Sequence, residues 1–224
     1  MHAVTGHLAL VGGGEFSAGC TFDAELLASS GGHEVVVLPT AAAFEHPDKL
    51  IDAAQAWFAP LGASVVAARV LGRPAAEDPV IAEIVRAARF LYLVGSSPLH
   101  LRSVLKGTPV WVAIRDAWAD GAVVAGSGES ASALCDPMVD PRGGAFTVGL
   151  GLASGLAVLP HAGPDVAEHH RRTLELARGG LVLAAVPDGT AIIRQPDGGW
   201  RTAGSGIVRV FVDGVERDVA DLPG

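Results

Sequence analysis

The sequence predicts a doubly wound α/β fold, in which a mostly parallel sheet is flanked by helices and ends in an antiparallel C-terminal extension. Three observations predict it. Short, near-continuous apolar runs recur through the first part of the chain with helix-like stretches between them, the pattern of parallel strands buried on both faces. Half of the 224 residues are hydrophobic and only 18% are charged, so there is material for a two-faced core. In the later part, apolar runs follow one another with few helices between, as antiparallel strands do.

Residues 7–11 (HLALV) form the first run, followed by Gly12-Gly13-Gly14 and a short helix over 23–28. The second run is 34–38 (EVVVL), closed by Pro39-Thr40; a helix over 47–58 then carries apolar residues at helical spacing. A strand at 64–68 and a helix at 79–88 come next, then the strand 90–94 (FLYLV), closed by Gly95. Helices over 99–106 and 109–118 lead to a fifth strand, 121–125, and a turn rich in glycine and serine. Later strands are expected at 156–159, 181–186, 190–194 and 207–212, with one helix over 165–178. Pro187-Asp188-Gly189 carries a hairpin signal joining two of these strands. No repeat or linker interrupts the pattern, and residues 1–224 are read as one domain.

Charge and cysteine usage narrow the function classes. A formal charge of −8, with the 16 Lys and Arg scattered, argues against a nucleic-acid partner. No segment approaches the roughly 20 apolar residues of a membrane helix, so no membrane partner is expected. No basic region precedes the first apolar run, and the cytoplasm is the expected compartment. Cys20 and Cys135 lie far apart, fit no metal-ligand spacing, and are expected as reduced, buried thiols. Gly12-Gly13-Gly14 lacks the G-x-G-x-x-G spacing of a dinucleotide site. Neither a cofactor nor a metal is expected. A homodimer is compatible with these features, which fix no oligomeric state.

In an open α/β sheet, ligands gather at the carboxyl ends of the strands. That rule selects the loops 12–17, 39–45, 95–100 and 126–132. In the last of these, Gly128-Glu129-Ser130-Ala131-Ser132 places small residues two positions either side of Ser130, as the crowded turn of a nucleophile elbow requires. The same string also reads as an ordinary strand-to-helix turn with a serine cap.

Taken in order, VGGGE (11–15), VGSSPLHLRSVLKGTPV (94–110) and VVAGSGESASAL (123–134) resemble segments of the peptidase E and cyanophycinase family of serine peptidases. In that family a strand, a turn of the form G-[ST]-S-A-G-A and a helix carry the nucleophile. The resemblance covers most of the chain and implies a flavodoxin-like, class I glutamine amidotransferase-like sandwich. Aligned without a gap, the family's nucleophilic serine falls on Gly128, its following alanine on Glu129 and the next glycine on Ser130. Glycine cannot attack a carbonyl. Either the nucleophile has moved to Ser130, or family-type catalysis has been lost.

The resemblance implies further roles. His161 stands where the family places its catalytic histidine, and His169-His170-Arg171-Arg172 resembles its Arg-rich helix. The orienting acid is expected between nucleophile and histidine, which selects Asp140, with Asp136 second. Gly95 and Ser96 occupy the position of backbone donors to an oxyanion. His100 is a further candidate for the pocket wall. Glu129, like Glu15, reads as a general base, a cation-binding group or a carboxylate favoured by the start of a helix.

The leading expectation is therefore a serine-peptidase-like hydrolase acting on a small peptide or amide. Ser130, His161 and Asp140 would be catalytic, and Gly95, Ser96, Gly128 and Glu129 would form the oxyanion or substrate pocket. The alternative is a degenerate family member that binds a small ligand without covalent chemistry. Glutamine amidotransferase chemistry needs an elbow cysteine, and Cys135 comes several residues too late.

Overall fold

The computed structural model describes residues 5–166 and 170–223. The expected strands of the first part appear as β1 (Leu8–Val11), β2 (Glu34–Leu38), β3 (Ser64–Ala67), β4 (Phe90–Leu93) and β5 (Val123–Ser127). They pair in parallel in the order β1-β5-β4-β2-β3. The later strands are β6 (Cys135–Asp136), β7 (Met138–Val139), β8 (Phe146–Thr147), β9 (Ala153–Ser154), β10 (Leu156–Leu159), β11 (Val182–Ala185), β12 (Thr190–Arg194), β13 (Trp200–Gly204), β14 (Arg209–Val212) and β15 (Val215–Arg217). Strands β12 and β13 extend the main sheet antiparallel beyond β1, giving seven strands. A second sheet runs in the order β15-β14-β11-β10-β6-β9.

The helices are α1 (Asp23–Ser30), α2 (Pro47–Phe58), α3 (Arg73–Ala76), α4 (Pro79–Ala87), α5 (Pro98–Leu105), α6 (Pro109–Ala119), α7 (Glu129–Leu134) and α8 (Arg171–Leu176). Proline opens α2, α4, α5 and α6, where its missing N–H is one of the unpaired first-turn donors in any case. Asp78 and Thr108 cap α4 and α6 by accepting hydrogen bonds from the amides of Val80 and Trp111. Residues 167–169, including the expected helical His169, lie outside the described residues.

Strand alternation divides the core. Leu8, Leu10, Val36, Leu38, Leu91 and Leu93 face one side of the main sheet, against α4 to α7 and the inner face of the second sheet. Ala9, Val11, Val35, Val37, Phe90 and Tyr92 face the other side, covered by α1 and α2 through Leu26, Ala54 and Phe58. All twelve of these strand residues are at most 1% exposed, which explains why the strands read as continuous apolar runs. Both cysteines are free and buried. Among the described residues, no helix is long and apolar enough to cross a membrane.

One expectation is corrected here. Pro187-Asp188-Gly189 does not join a hairpin: β11 belongs to the second sheet and β12 to the main sheet. The segment is a crossover between sheets, tied down by hydrogen bonds from the Gly189 amide to the Gly13 carbonyl and from the Gly12 amide to the Thr190 carbonyl. Those bonds bring position 188 to the carboxyl end of β1.

Candidate active site

The site is assembled where β1, β5, β10 and β11 all end. Strand β5 runs directly into α7 through Gly128, whose φ of 57° and ψ of −128° lie in a region that L-residues rarely adopt. This is the strained strand-to-helix turn of a nucleophile elbow. The Gly128 amide donates to the Val11 carbonyl at 2.9 Å, which fixes the turn against the first loop.

His161 follows β10 and sits over that turn. A Cβ built on Gly128 would stand 3.1 Å from Nε2 of His161 and 3.5 Å from its Cε1. The other ring nitrogen, Nδ1, is 2.7 Å from Oδ1 of Asp188. A carboxylate only accepts, so Nδ1 carries the proton in this bond, and in the neutral ring the Nε2 lone pair is turned toward Gly128. The histidine itself has a φ of 53°, held by a 2.6 Å hydrogen bond from its amide to the Gly12 carbonyl. The first loop must be glycine to admit this pair. A Cβ on Gly13 would lie 2.2 Å from the imidazole and 2.5 Å from the Asp188 carboxylate.

Around the imidazole lies a cleft of about 140 Å³, bordered by Glu15, Glu45, Ser96, Gly128, Glu129 and His161. Ser127 donates to Glu15 at 2.7 Å, and the Ser96 hydroxyl donates to Glu45. Burial raises the pKa of Glu129 above the usual carboxylate range, while attraction to His161 works in the opposite direction. Glu129 also forms part of the wall of an adjoining cavity of about 320 Å³, together with Ser132, Asp140, His170, Arg172 and Thr173.

The structure thus brings His161, Gly128, Glu129, Gly95 and Ser96 to one cleft, and it separates the other two residues of the expected triad from it. Ser130 has no exposed surface, and its hydroxyl donates to the Gly95 carbonyl at 3.2 Å. Two residues along a helix turn a side chain through about 200°, so position 130 faces the packing when position 128 faces the cleft. Asp140 is paired elsewhere: its carboxylate accepts from the Arg142 amide at 3.0 Å and from the guanidinium at 2.9 and 2.6 Å. Those side-chain bonds bring its pKa down to about 2. Asp136 accepts from the Gly149 amide. His100 is bonded to the Leu71 carbonyl and packs on Phe44.

Sequence reasoning missed Asp188. The strand-end rule, applied also to 156–159 and 181–186, selects both the His161 loop and the Pro187-Asp188 segment. A local turn signal concealed the second.

The model of peptidase family S51 matches residues 8–199. The chain belongs to peptidase family S51. The peptidase E resemblance is shown with it, and the matched span takes in the elbow, His161 and Asp188. A crystal structure of a peptidase from an acI-B1 Actinobacterium is 26% identical, with 97% of this chain and 95% of that one covered and a TM-score of 0.81. A putative peptidase E protein from Listeria monocytogenes EGD-e is 18% identical, with 90% and 100% covered and a TM-score of 0.68; that likeness is one of fold. No curated protein matches the chain. Membership in S51 makes this a chain of the peptidase-type hydrolase class. In this S51 member the elbow ends in glycine beneath a histidine and its acid.

Proposed function

We propose that this S51 member binds a small peptide or amide in the cleft over Gly128 and forms no covalent acyl intermediate with it. The observation that supports this reading is the bare Gly128 beneath Nε2 of His161, with the nearby Ser130 hydroxyl committed to the Gly95 carbonyl in a fully buried position. A serine acylates only when a base can take its proton, and the base here faces a position without a side chain. Binding needs less. The Gly95–Ser96 loop and the elbow border the space for an amide carbonyl, and Glu15, Glu45 and Glu129 offer acceptors for an amino group. At about 140 Å³ the cleft fits one amide and its immediate substituents, and the adjoining cavity leaves room for a side chain.

Two measurements on the purified protein test the reading. Exposure to a fluorophosphonate probe, followed by peptide mapping, is expected to leave every serine unlabelled. Calorimetric titration with a panel of dipeptides and dipeptide amides is expected to show saturable binding that His161→Ala weakens. A stoichiometric adduct on Ser130 would overturn the proposal and restore the shifted-nucleophile reading.

A further inference from the structure

We propose that the space over Gly128 holds a hydrolytic water, and that His161, oriented by Asp188, activates it to attack the bound amide directly. This rests on the reading that the ligand sits in the cleft over Gly128. It adds an activity to that reading: slow amide hydrolysis by general-base catalysis in place of acyl transfer.

Three features of the site carry it. The first is the base. Nδ1 is held by Asp188 at 2.7 Å, so in the neutral ring it is the Nε2 lone pair that faces the cleft. An imidazole fixed in that tautomer can take a proton from a water within hydrogen-bond reach, as a general base does. The second is the space. A Cβ at position 128 would already be 3.1 Å from Nε2. With glycine there, that volume is open to the cleft. A water takes about 30 Å³, so about 140 Å³ accommodates one beside a carbonyl group.

The third is strain. His161 keeps a left-handed backbone, and Gly13 leaves its ring 2.2 Å from where a Cβ would stand. Residues held in sparsely populated backbone conformations of this kind cluster at functional sites. The pair it positions is half-exposed and fills no core. Glu129 borders the same cleft, and in its ionised form it favours the imidazolium that forms when the proton arrives.

The step balances without any further reagent. A water O–H bond breaks and its proton passes to Nε2 as the oxygen bonds to the amide carbon. The carbonyl π electrons move onto oxygen, on the side of the cleft bordered by the Gly95–Ser96 loop and the elbow. On collapse the C=O bond re-forms, the C–N bond breaks, and the proton on Nε2 goes to the leaving nitrogen. The products are a carboxylic acid and an amine, and the imidazole is neutral again.

The test follows hydrolysis of the same dipeptide and dipeptide-amide panel by mass spectrometry, with calorimetric binding measured in parallel. Wild-type protein is expected to release product from those panel members that bind, with linear time courses and no burst. His161→Gln and Asp188→Asn are expected to lower that rate by roughly 100-fold or more, the range that general-base catalysis supplies. Both side chains are substantially exposed, so both variants are expected to fold, which thermal scans check. Binding without hydrolysis above the uncatalysed rate overturns the inference and leaves the binding proposal standing. Hydrolysis that both variants retain, or an acyl adduct trapped during wild-type turnover, also overturns it. Absence of binding to any panel member overturns the underlying reading itself.

Discussion

Nε2 of His161 stands 3.1 Å from the point that a Cβ on Gly128 would occupy. Gly128→Ser therefore places a hydroxyl directly beneath a base whose other nitrogen is already held by Asp188. The substitution is expected to create fluorophosphonate labelling at position 128, where the wild type has none. It imposes a side chain on a φ of 57° and a contact tight enough to shift the imidazole by a few tenths of an ångström. A stability loss of about 1–3 kcal/mol is expected from that conformation. Peptide mapping and urea denaturation check the two effects. A folded Gly128→Ser protein that stays inert to the probe would show that Nε2 is not positioned as a base.

Asp188 is expected to matter for chemistry and hardly at all for stability. Its pair with His161 is solvent-exposed on both sides, at 52% and 63% of side-chain surface, and exposed ion pairs contribute about 0–1 kcal/mol. In the Gly128→Ser background, Asp188→Asn is expected to reduce probe reactivity by roughly 10³–10⁴, because the amide no longer fixes the imidazole tautomer. Its melting temperature should match that of the parent. Parallel labelling rates and thermal scans decide this. A large melting shift would assign Asp188 a structural role instead.

Much of this arrangement was legible in the sequence, for physical reasons that also mark where the reading stopped. The five parallel strands announced themselves because burial on both faces leaves no polar position in runs such as FLYLV. Proline at the first turn marked α2, α4 and α6. Strands β6 to β9 are two residues long and have no period to detect. Strand β13 carries Arg201 and Thr202 on a largely solvated edge and resembles a loop. At the site, the elbow, His161 and the Gly95 loop were located by strand ends and family resemblance. Asp188 was not, because Pro-Asp-Gly has the same local chemistry whether the strands it joins pair with each other or enter different sheets. Only the long-range bonds to Gly12 and Gly13 separate those cases.

Ser130 was the expected nucleophile, and its structural setting makes a separate prediction. Its hydroxyl is buried and donates to the Gly95 carbonyl at 3.2 Å. Ser130→Ala removes that bond and is expected to destabilise the protein by about 0.5–1.5 kcal/mol, the usual net worth of such an interaction. Ligand affinity, and the probe reactivity of the Gly128→Ser variant, should be unchanged. Denaturation midpoints and calorimetry on the same preparation separate these outcomes. Loss of affinity without loss of stability would place Ser130 in the cleft after all.

Beneath the first loop, Asp23 is fully buried at the start of α1. Burial is the main cause that pushes its carboxyl from the ordinary 3.8 up to about 7; the Trp57 indole, donating at 2.9 Å, opposes the shift and the charge of Glu15 adds to it. The folded state thus holds a proton that the unfolded chain releases above pH 4, so stability falls as pH rises between about 4 and 7 and levels off above that. Each unit of difference corresponds to about 1.4 kcal/mol, giving a loss of a few kcal/mol across the window. Asp23→Asn keeps an acceptor for Trp57 and removes the titration. The variant is expected to be more stable than wild type at pH 8 and to lose most of that advantage at pH 4. Urea denaturation at the two pH values measures the difference. An advantage equal at both would show that Asp23 enters the folded state already ionised.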